Sequence, residues 1–209
     1  MPIIKEFRFN KNTTVILRDI GETEEELLKL VALTPSENDT FSKRKSLTHR
    51  LGFLSSRLCL TELGISLEEL HFEDNGAPFL KNDNFCSLTH TTRYAAAAIS
   101  ELPIGIDVEG HRDKIIKIAP KFMHDEEAFV LQKENKTALL TRLWTAKESV
   151  YKAFGTPGIE FKNQIRVNAF SMENEMGFAT LVHSDKKYRF TLHFRSIENT
   201  EFCIAIKEP

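Results

Sequence analysis

The segment "GIDVEGHR", residues 105–112, carries two acids, Asp107 and Glu109, in an otherwise apolar run. As a strand it points Ile104, Ile106 and Val108 one way and Gly105, Asp107 and Glu109 the other, with the two carboxyls roughly 7 Å apart. Like charges so placed repel, and one is driven toward protonation unless positive charge is near. Either an Arg or Lys neutralises an exposed face, or the face holds a ligand. Gly105 and Gly110 leave room for a ligand to approach the backbone. Further on, "WTAKESVYK" (144–152) reads as helix, with Glu148 and Lys152 four apart on one face. That pair is an ordinary surface ion pair or part of a site. Lys147 falls within the apolar stripe, where an ammonium must snorkel out or meet an anion. Trp144 and Tyr151 flank the Glu148 side. Joined by Glu148, Asp107 and Glu109 would offer three hard oxygen donors. Such donors suit Mg²⁺, which keeps waters and shares its shell with substrate phosphates. Lys152 would then face the phosphate charge. Metal as Lewis acid, carboxylate as ligand or base and ammonium as charge stabiliser form a set for phosphoryl transfer.

Placing those acids needs a strand and a distant helix in one unit. The N-terminal "IIKEFRF" and "TTVILRDI" read as strands around the turn "NKN". "TEEELLKLVAL" opens on Thr23 with Glu26 three later, a capping box. "TPSE" starts a second helix, with Thr34 as cap, Pro35 in the first turn and Glu37 closing the box. Its continuation to Gly64 places Leu47, Leu51, Leu54 and Leu58 on one face. "NGAPFL" is a turn running into an extended piece, and "FCSLTH" and "RYAAAAIS" read as strands, the alanines small enough for close approach. After "IGIDVEG" come a loop ending at Pro120, a helix over "KFMHDEEAFVLQ" and a longer helix over "KTALLTRLWTAKESVYKAFG". The longer helix has its apolar stripe at Leu139, Leu143, Val150 and Phe154 and stops at Gly155. The tail, "QIRVNAF", "GFATLVH", "KYRFTLHFRS" and "EFCIAIK", reads as antiparallel strands. Strands, helices and strands, then the same again, predict an α+β class in two halves.

The bulk properties exclude several classes. The 209 residues, 41% hydrophobic, suffice for one large domain or two small fused ones. A net charge of −2 gives no reason to expect nucleic acid, and the basic run "SKRK" (42–45) reads as a solvated helix face. Cys59, Cys86 and Cys203, without CxxC spacing, fit reduced thiols in a cytoplasmic protein. The first residues lack a secretory core, and no apolar run approaches the roughly 20 residues that span a bilayer.

The ordered set of motifs resembles the 4'-phosphopantetheinyl transferases of the larger, surfactin-type class. "GIDVE" (105–109) and "WTAKESVYK" (144–152) carry the likeness, with "FMHDEE" between them placing Glu127 at the family's glutamate. Upstream, "NGAPFL" is similar to a G-x-P element, "SLTH" to a Ser-His pair with Thr89 where serine is usual, and "HRLGFLSSR" to an arginine-bearing helix. Ala77 replaces a residue that is often basic, and Lys43 and Lys45 do not line up with the family's early basic positions. The resemblance implies two pseudo-twofold-related α+β halves, 1–101 for coenzyme A phosphate and adenine contacts and 102–209 for the metal site and catalytic helix. The active site would lie between them. It implies transfer of phosphopantetheine from coenzyme A to a serine of an apo acyl or peptidyl carrier protein, with release of adenosine 3',5'-bisphosphate. Asp107, Glu109 and Glu148 match the ligands of Mg²⁺ (or Mn²⁺), and Glu148 also the candidate base. Lys152 matches the lysine at the pyrophosphate. Arg50, Thr89 and His90 match coenzyme A phosphate contacts, and Gly76 and Pro78 lie where the adenine is held. A monomer is the expected state. The segment "HRDKIIKIAPK" (111–121) reads as a docking element for an acidic carrier helix or as a mobile polar loop. A non-catalytic coenzyme A-binding module of the same fold is the alternative; it would lack an acid or the lysine.

Overall fold

The computed structural model describes residues 4–10, 12–82, 84–131 and 134–209. Ile3 and Lys11 of the expected first hairpin, and Gln132 at the end of one expected helix, lie outside the described residues. The chain divides into two compact units, Met1–Glu101 and Leu102–Pro209. Each has antiparallel strands and helices, so the class is α+β. Among the described residues no helix is long and apolar enough to cross a membrane.

In the first unit, β1 (Ile4–Asn10), β2 (Thr13–Asp19), β5 (Phe85–His90) and β6 (Tyr94–Ser100) form an antiparallel sheet in the order β1-β2-β6-β5. The helices are α1 (Glu24–Leu30), α2 (Pro35–Ser42) and α3 (Leu47–Glu62), and β3 (Leu70–Phe72) pairs with β4 (Pro78–Leu80). Thr23 and Glu26 form the capping box expected at α1, and Thr34 caps α2. The alanines Ala95 to Ala98 are fully buried, and Ala95 and Ala97 join the core beneath α3. The long second helix expected from Thr34 to Gly64 is two helices. Its three successive cations fall in the break, where Arg44 turns back over the Phe53 ring at 4.6 Å while Lys43 and Lys45 stay exposed. Leu47 is 60% exposed, so the packed stripe is carried by Leu54, Leu58 and their neighbours.

In the second unit, β7 (Ile104–Gly110), β8 (Ile165–Val167), β9 (Met176–His183), β10 (Lys186–Ile197) and β11 (Thr200–Lys207) form a sheet in the order β7-β11-β10-β9-β8. Ser184 and Asp185, with φ of 49° and 61°, make the positive-φ turn that suits a tight hairpin. Helix α5 (Lys136–Phe154) lies on β7 and β11 and ends at Gly155, whose φ is 72°. The stretch before it departs from the sequence reading. Residues 114–122 form helix α4 (Lys114–Phe122), not a loop, because Ile115, Ala119 and Phe122 share a buried face and Pro120 sits in the last turn. The helix expected over 121–132 is instead a 3₁₀ segment, Asp125–Leu131. There Glu127 folds back to accept the His124 N–H at 2.8 Å, which favours tighter winding. A short α6 (Phe161–Gln164) precedes β8.

Candidate active site

Helix α5 can lie close on β7 because Gly105 has no side chain. A β-carbon built there would meet the Ser149 carbonyl oxygen, and would stand 2.5 Å from the Ala153 nitrogen. The space left by Gly105 is thus filled by the helix backbone, not kept for a ligand. Gly110, by contrast, has only the Asn199 carbonyl oxygen near, at 3.9 Å. The face bearing Asp107 and Glu109 therefore looks onto α5. Lys152 donates to the Ile106 carbonyl at 2.9 Å and pairs with Asp107 Oδ1 at 2.7 Å. Ser149 donates to the Cys203 carbonyl at 3.0 Å and fixes the same helix to β11. Glu148 and Lys152, the pair one turn apart, join the strand acids rather than the outer surface.

The electrostatics link all three acids. Burial, then the Asp107 charge, pushes Glu109 up to about 6, against the pull of Arg112 and Lys152. Burial, then Asp107, pushes Glu148 up to about 7, with Lys152 opposing and Glu109 adding to the rise. One ammonium and the Arg112 guanidinium do not balance three carboxylates, so the cluster is short of positive charge. The donors suit a hard divalent cation in kind and in charge. Their rotamers do not gather around one point: among the described residues, no three His, Cys, Asp or Glu side chains are placed to hold a metal ion. Binding one requires the carboxylates to turn, and Asp107 to share Lys152.

Beside Glu148 a cavity of about 530 Å³ opens, lined by Trp144, Phe122, Phe161 and Tyr151, with Lys121 on its wall. A second hollow of about 250 Å³ adjoins Glu109 and Arg112. Trp144 and Ile118 line both. Trp144 packs edge-on to Phe122, with centroids 5.0 Å apart, and against Phe161 at 5.5 Å.

Of the two outcomes open to an ammonium in the apolar stripe, Lys147 takes the second and meets an anion. The lysine is fully buried and pairs with Glu127 Oε2 at 2.7 Å. Glu127, at the family's glutamate position, is itself 1% exposed and accepts the Val167 N–H at 2.9 Å. It is thus bound inside the fold. Sequence reasoning missed Arg142 and Glu201. Glu201 is the cross-strand partner of Glu109, and Arg142 holds it at 2.9 Å while donating to the Ser171, Met172 and Asn174 carbonyls. His111 Nε2 lies 3.0 Å from the other Glu201 oxygen. The charge of Glu201 is thereby matched before it can add to that of Glu109. An arginine in a mid-helix apolar stretch was the available signal.

In the first unit, Arg50 is committed to Glu24 through both carboxylate oxygens and stacks over Phe41 at 4.4 Å. His90 lies on α3 where Gly52 leaves room; a β-carbon on Gly52 would fall 2.5 Å from the His90 Cγ. A glycine in mid-helix destabilises it by about 1 kcal/mol, so "HRLGF" was a sign of close packing there. Thr89 is buried, and as the strand neighbour of His90 it points to the opposite sheet face. Gly76 and Pro78 sit at the β3–β4 turn, Gly76 with a φ of 83° that a side chain would resist.

A strand acid pair thus meets a helix glutamate and lysine, an acid-and-ammonium cluster whose donors are chemically suited to a metal-bound phosphate. The family model of the 4'-phosphopantetheinyl transferase superfamily matches residues 103–207, which include every one of these four residues, and the chain belongs to that superfamily. It is 32% identical over 149 residues to 4'-phosphopantetheinyl transferase gsp of Aneurinibacillus migulanus, covering 68% of this chain and 61% of that protein. It is 30% identical over 135 residues to enterobactin synthase component D of Salmonella typhi, covering 61% of this chain and 57% of that one. The chain thus matches less than two thirds of the length of either relative. A solved structure of Thermotoga maritima holo-[acyl-carrier-protein] synthase overlaps 51% of this chain and 63% of its own, with a TM-score of 0.37 at 16% identity.

Proposed function

We propose that this chain transfers the 4'-phosphopantetheine group of coenzyme A to a serine hydroxyl of an apo acyl or peptidyl carrier protein, releasing adenosine 3',5'-bisphosphate. The observation that carries the reading is the Asp107–Lys152 pair with Glu109 and Glu148 beside it, within the stretch that defines the family. Asp107, Glu109 and Glu148 would hold Mg²⁺ (or Mn²⁺), which when bound neutralises the phosphate charge that repels an incoming hydroxyl. Lys152 presents its ammonium to the pyrophosphate. Glu148 is the acceptor of the serine proton; burial and the neighbouring acids raise its proton affinity in the metal-free chain, and beside a bound cation it would stay ionised and ready to accept. The cavity walled by Trp144, Phe122, Phe161 and Tyr151 suits a slim arm with apolar and amide segments. Arg50, His90, Gly76 and Pro78 are assigned to the nucleotide end, where Arg50 must exchange Glu24 for phosphate; Thr89, on the opposite sheet face from His90, would serve there only if the strand end turns.

The direct test is incubation of an apo carrier with the chain, coenzyme A and Mg²⁺. A mass gain of one phosphopantetheine on the carrier is expected, and its absence across acyl and peptidyl carriers would end the proposal. Metal binding has its own readout. Glu109 and Glu148 hold protons more tightly in the folded chain than at their ordinary value of 4.5. Between about 4.5 and 7 the folded state binds more protons than the unfolded, so their contribution to stability falls as pH rises. Mg²⁺ is therefore expected to raise Tm more at pH 8 than at pH 5.5; an equal rise at both pH values would count against these ligands.

Helix α4 is the surface we assign to the carrier. Lys114, Lys117 and Lys121 are exposed on it, beside Ile116, and an acidic carrier helix complements that pattern. Arg112 also acts on the Glu109 charge, so reversing it would disturb the acids as well as docking. Lys117→Glu is the cleaner change. It is expected to raise KM for the carrier by about three- to tenfold and leave KM for coenzyme A alone; steady-state kinetics against both substrates decide it.

A further inference from the structure

Lys147 sits next to Glu148 in sequence but points into the protein. Its ammonium donates to the Phe122 carbonyl at 2.8 Å, the Phe161 carbonyl at 3.0 Å and the Ile165 carbonyl at 2.9 Å, and pairs with Glu127 at 2.7 Å. Those carbonyls belong to the end of α4, the start of α6 and the start of β8. Glu127 adds the His124 and Val167 N–H groups to the same knot. Phe122 and Phe161 are the residues whose rings flank Trp144 and line the cavity beside Glu148. One buried cation thus grips both walls from behind. A fully buried ion pair is a poor source of stability, since apolar residues of similar volume often do as well or better. Its consequence here is geometric.

We propose that Lys147, oriented by Glu127, is a positioning residue that sets the spacing of the cavity walls and so the fit of the phosphopantetheine arm against Glu148. The inference rests on the cavity assignment made under the proposed function. Three elements that do not pair with one another through a sheet ladder are fixed at one nitrogen. The other ties between these walls are the Trp144 ring, the Tyr151 ring on Phe161 and an exposed Lys162 ammonium on the Pro120 carbonyl, so the buried nitrogen is the link that joins all three elements from within.

The test uses Trp144, the chain's single tryptophan, as a reporter in the wall itself. Removing Lys147 alone would strand a buried carboxylate and threaten the fold. The variant of choice is the double change Glu127→Gln with Lys147→Met, which leaves neither member of this pair charged. Wild-type emission is expected to respond to coenzyme A but not to adenosine 3',5'-bisphosphate, which lacks the arm. In the folded double variant the coenzyme A response weakens and KM for coenzyme A rises about tenfold, more than kcat falls, because a small misplacement of a bound group costs rate steeply. Calorimetric binding of the nucleotide alone stays as in wild type. Glu127→Gln by itself, which keeps the ammonium but not its counter-charge, moves the same KM in the same direction by about threefold. Coenzyme A response and KM within twofold of wild type in either folded variant would overturn the inference. A wild-type chain that transfers while Trp144 stays silent removes the cavity assignment and the inference with it. A chain that transfers to no carrier, yet shows the variant effect on Trp144, removes the proposed reaction alone.

Discussion

Glu148→Gln is expected to lower kcat for the proposed transfer by about 10²- to 10⁴-fold, the range in which a positioned general base contributes, and to leave the fold intact. Glutamine keeps the shape and one acceptor oxygen but cannot take a proton or supply the third negative donor. The stability change separates this result from simple damage. Glu148 is held up near 7 by burial and by the Asp107 and Glu109 charges, so its ionisation above that pH works against the metal-free fold. The variant without metal should therefore be at least as stable as wild type at pH 8, and its Mg²⁺-induced rise in Tm should shrink. Single-turnover transfer followed by mass, with thermal melts at pH 8 with and without Mg²⁺, checks both parts. A kcat within threefold of wild type would remove Glu148 from the reaction.

Gly105→Ala is expected to cost about 3 kcal/mol or more, the range of severe overpacking, because the new methyl group would strike backbone atoms of α5 at Ser149 and Ala153 that cannot swing away. The helix must lift off β7, and with it the Lys152 contact to Asp107. Gly110→Ala, in the same strand, meets nothing closer than 3.9 Å and should stay within about 1 kcal/mol of wild type. Urea unfolding of the two variants side by side decides it. A mild Gly105→Ala would mean that α5 does not pack as described, and the spatial argument for the acids would fall.

Much of the local structure could be read from the sequence because its causes are local. The capping box at Thr23, the αL stop at Gly155 and the alternation of Ile104, Ile106 and Val108 each depend on neighbours a few residues away. The alanine strand is a partial exception: propensity favoured helix there, and the flanking punctuation with the need for close packing under α3 prevailed. The residues around 114–131 were misread because Pro120 looked like a boundary. In the last turn of α4 it removes one hydrogen bond and no more of the helix, while the acids beyond it wind into a 3₁₀ segment to reach Lys147.

The sequence by itself determined which side chains could do chemistry here: Asp107, Glu109, Glu148 and Lys152 stand out by type and spacing, and their order along the chain marks the superfamily. Only the tertiary structure decided what each neighbour is for. It turned Gly105 from ligand space into a helix seat, took Glu127 into a buried pair with Lys147, committed Arg50 to Glu24, and brought Arg142 to quiet Glu201 behind the site. The reason is the range of the forces. Periodicity and capping act over a few residues and are written in order along the chain. Burial and the pairing of charges depend on residues far apart in the chain, such as Lys147 with Glu127, 20 positions away, or Lys152 with Asp107, 45 away, which meet only once the chain has folded.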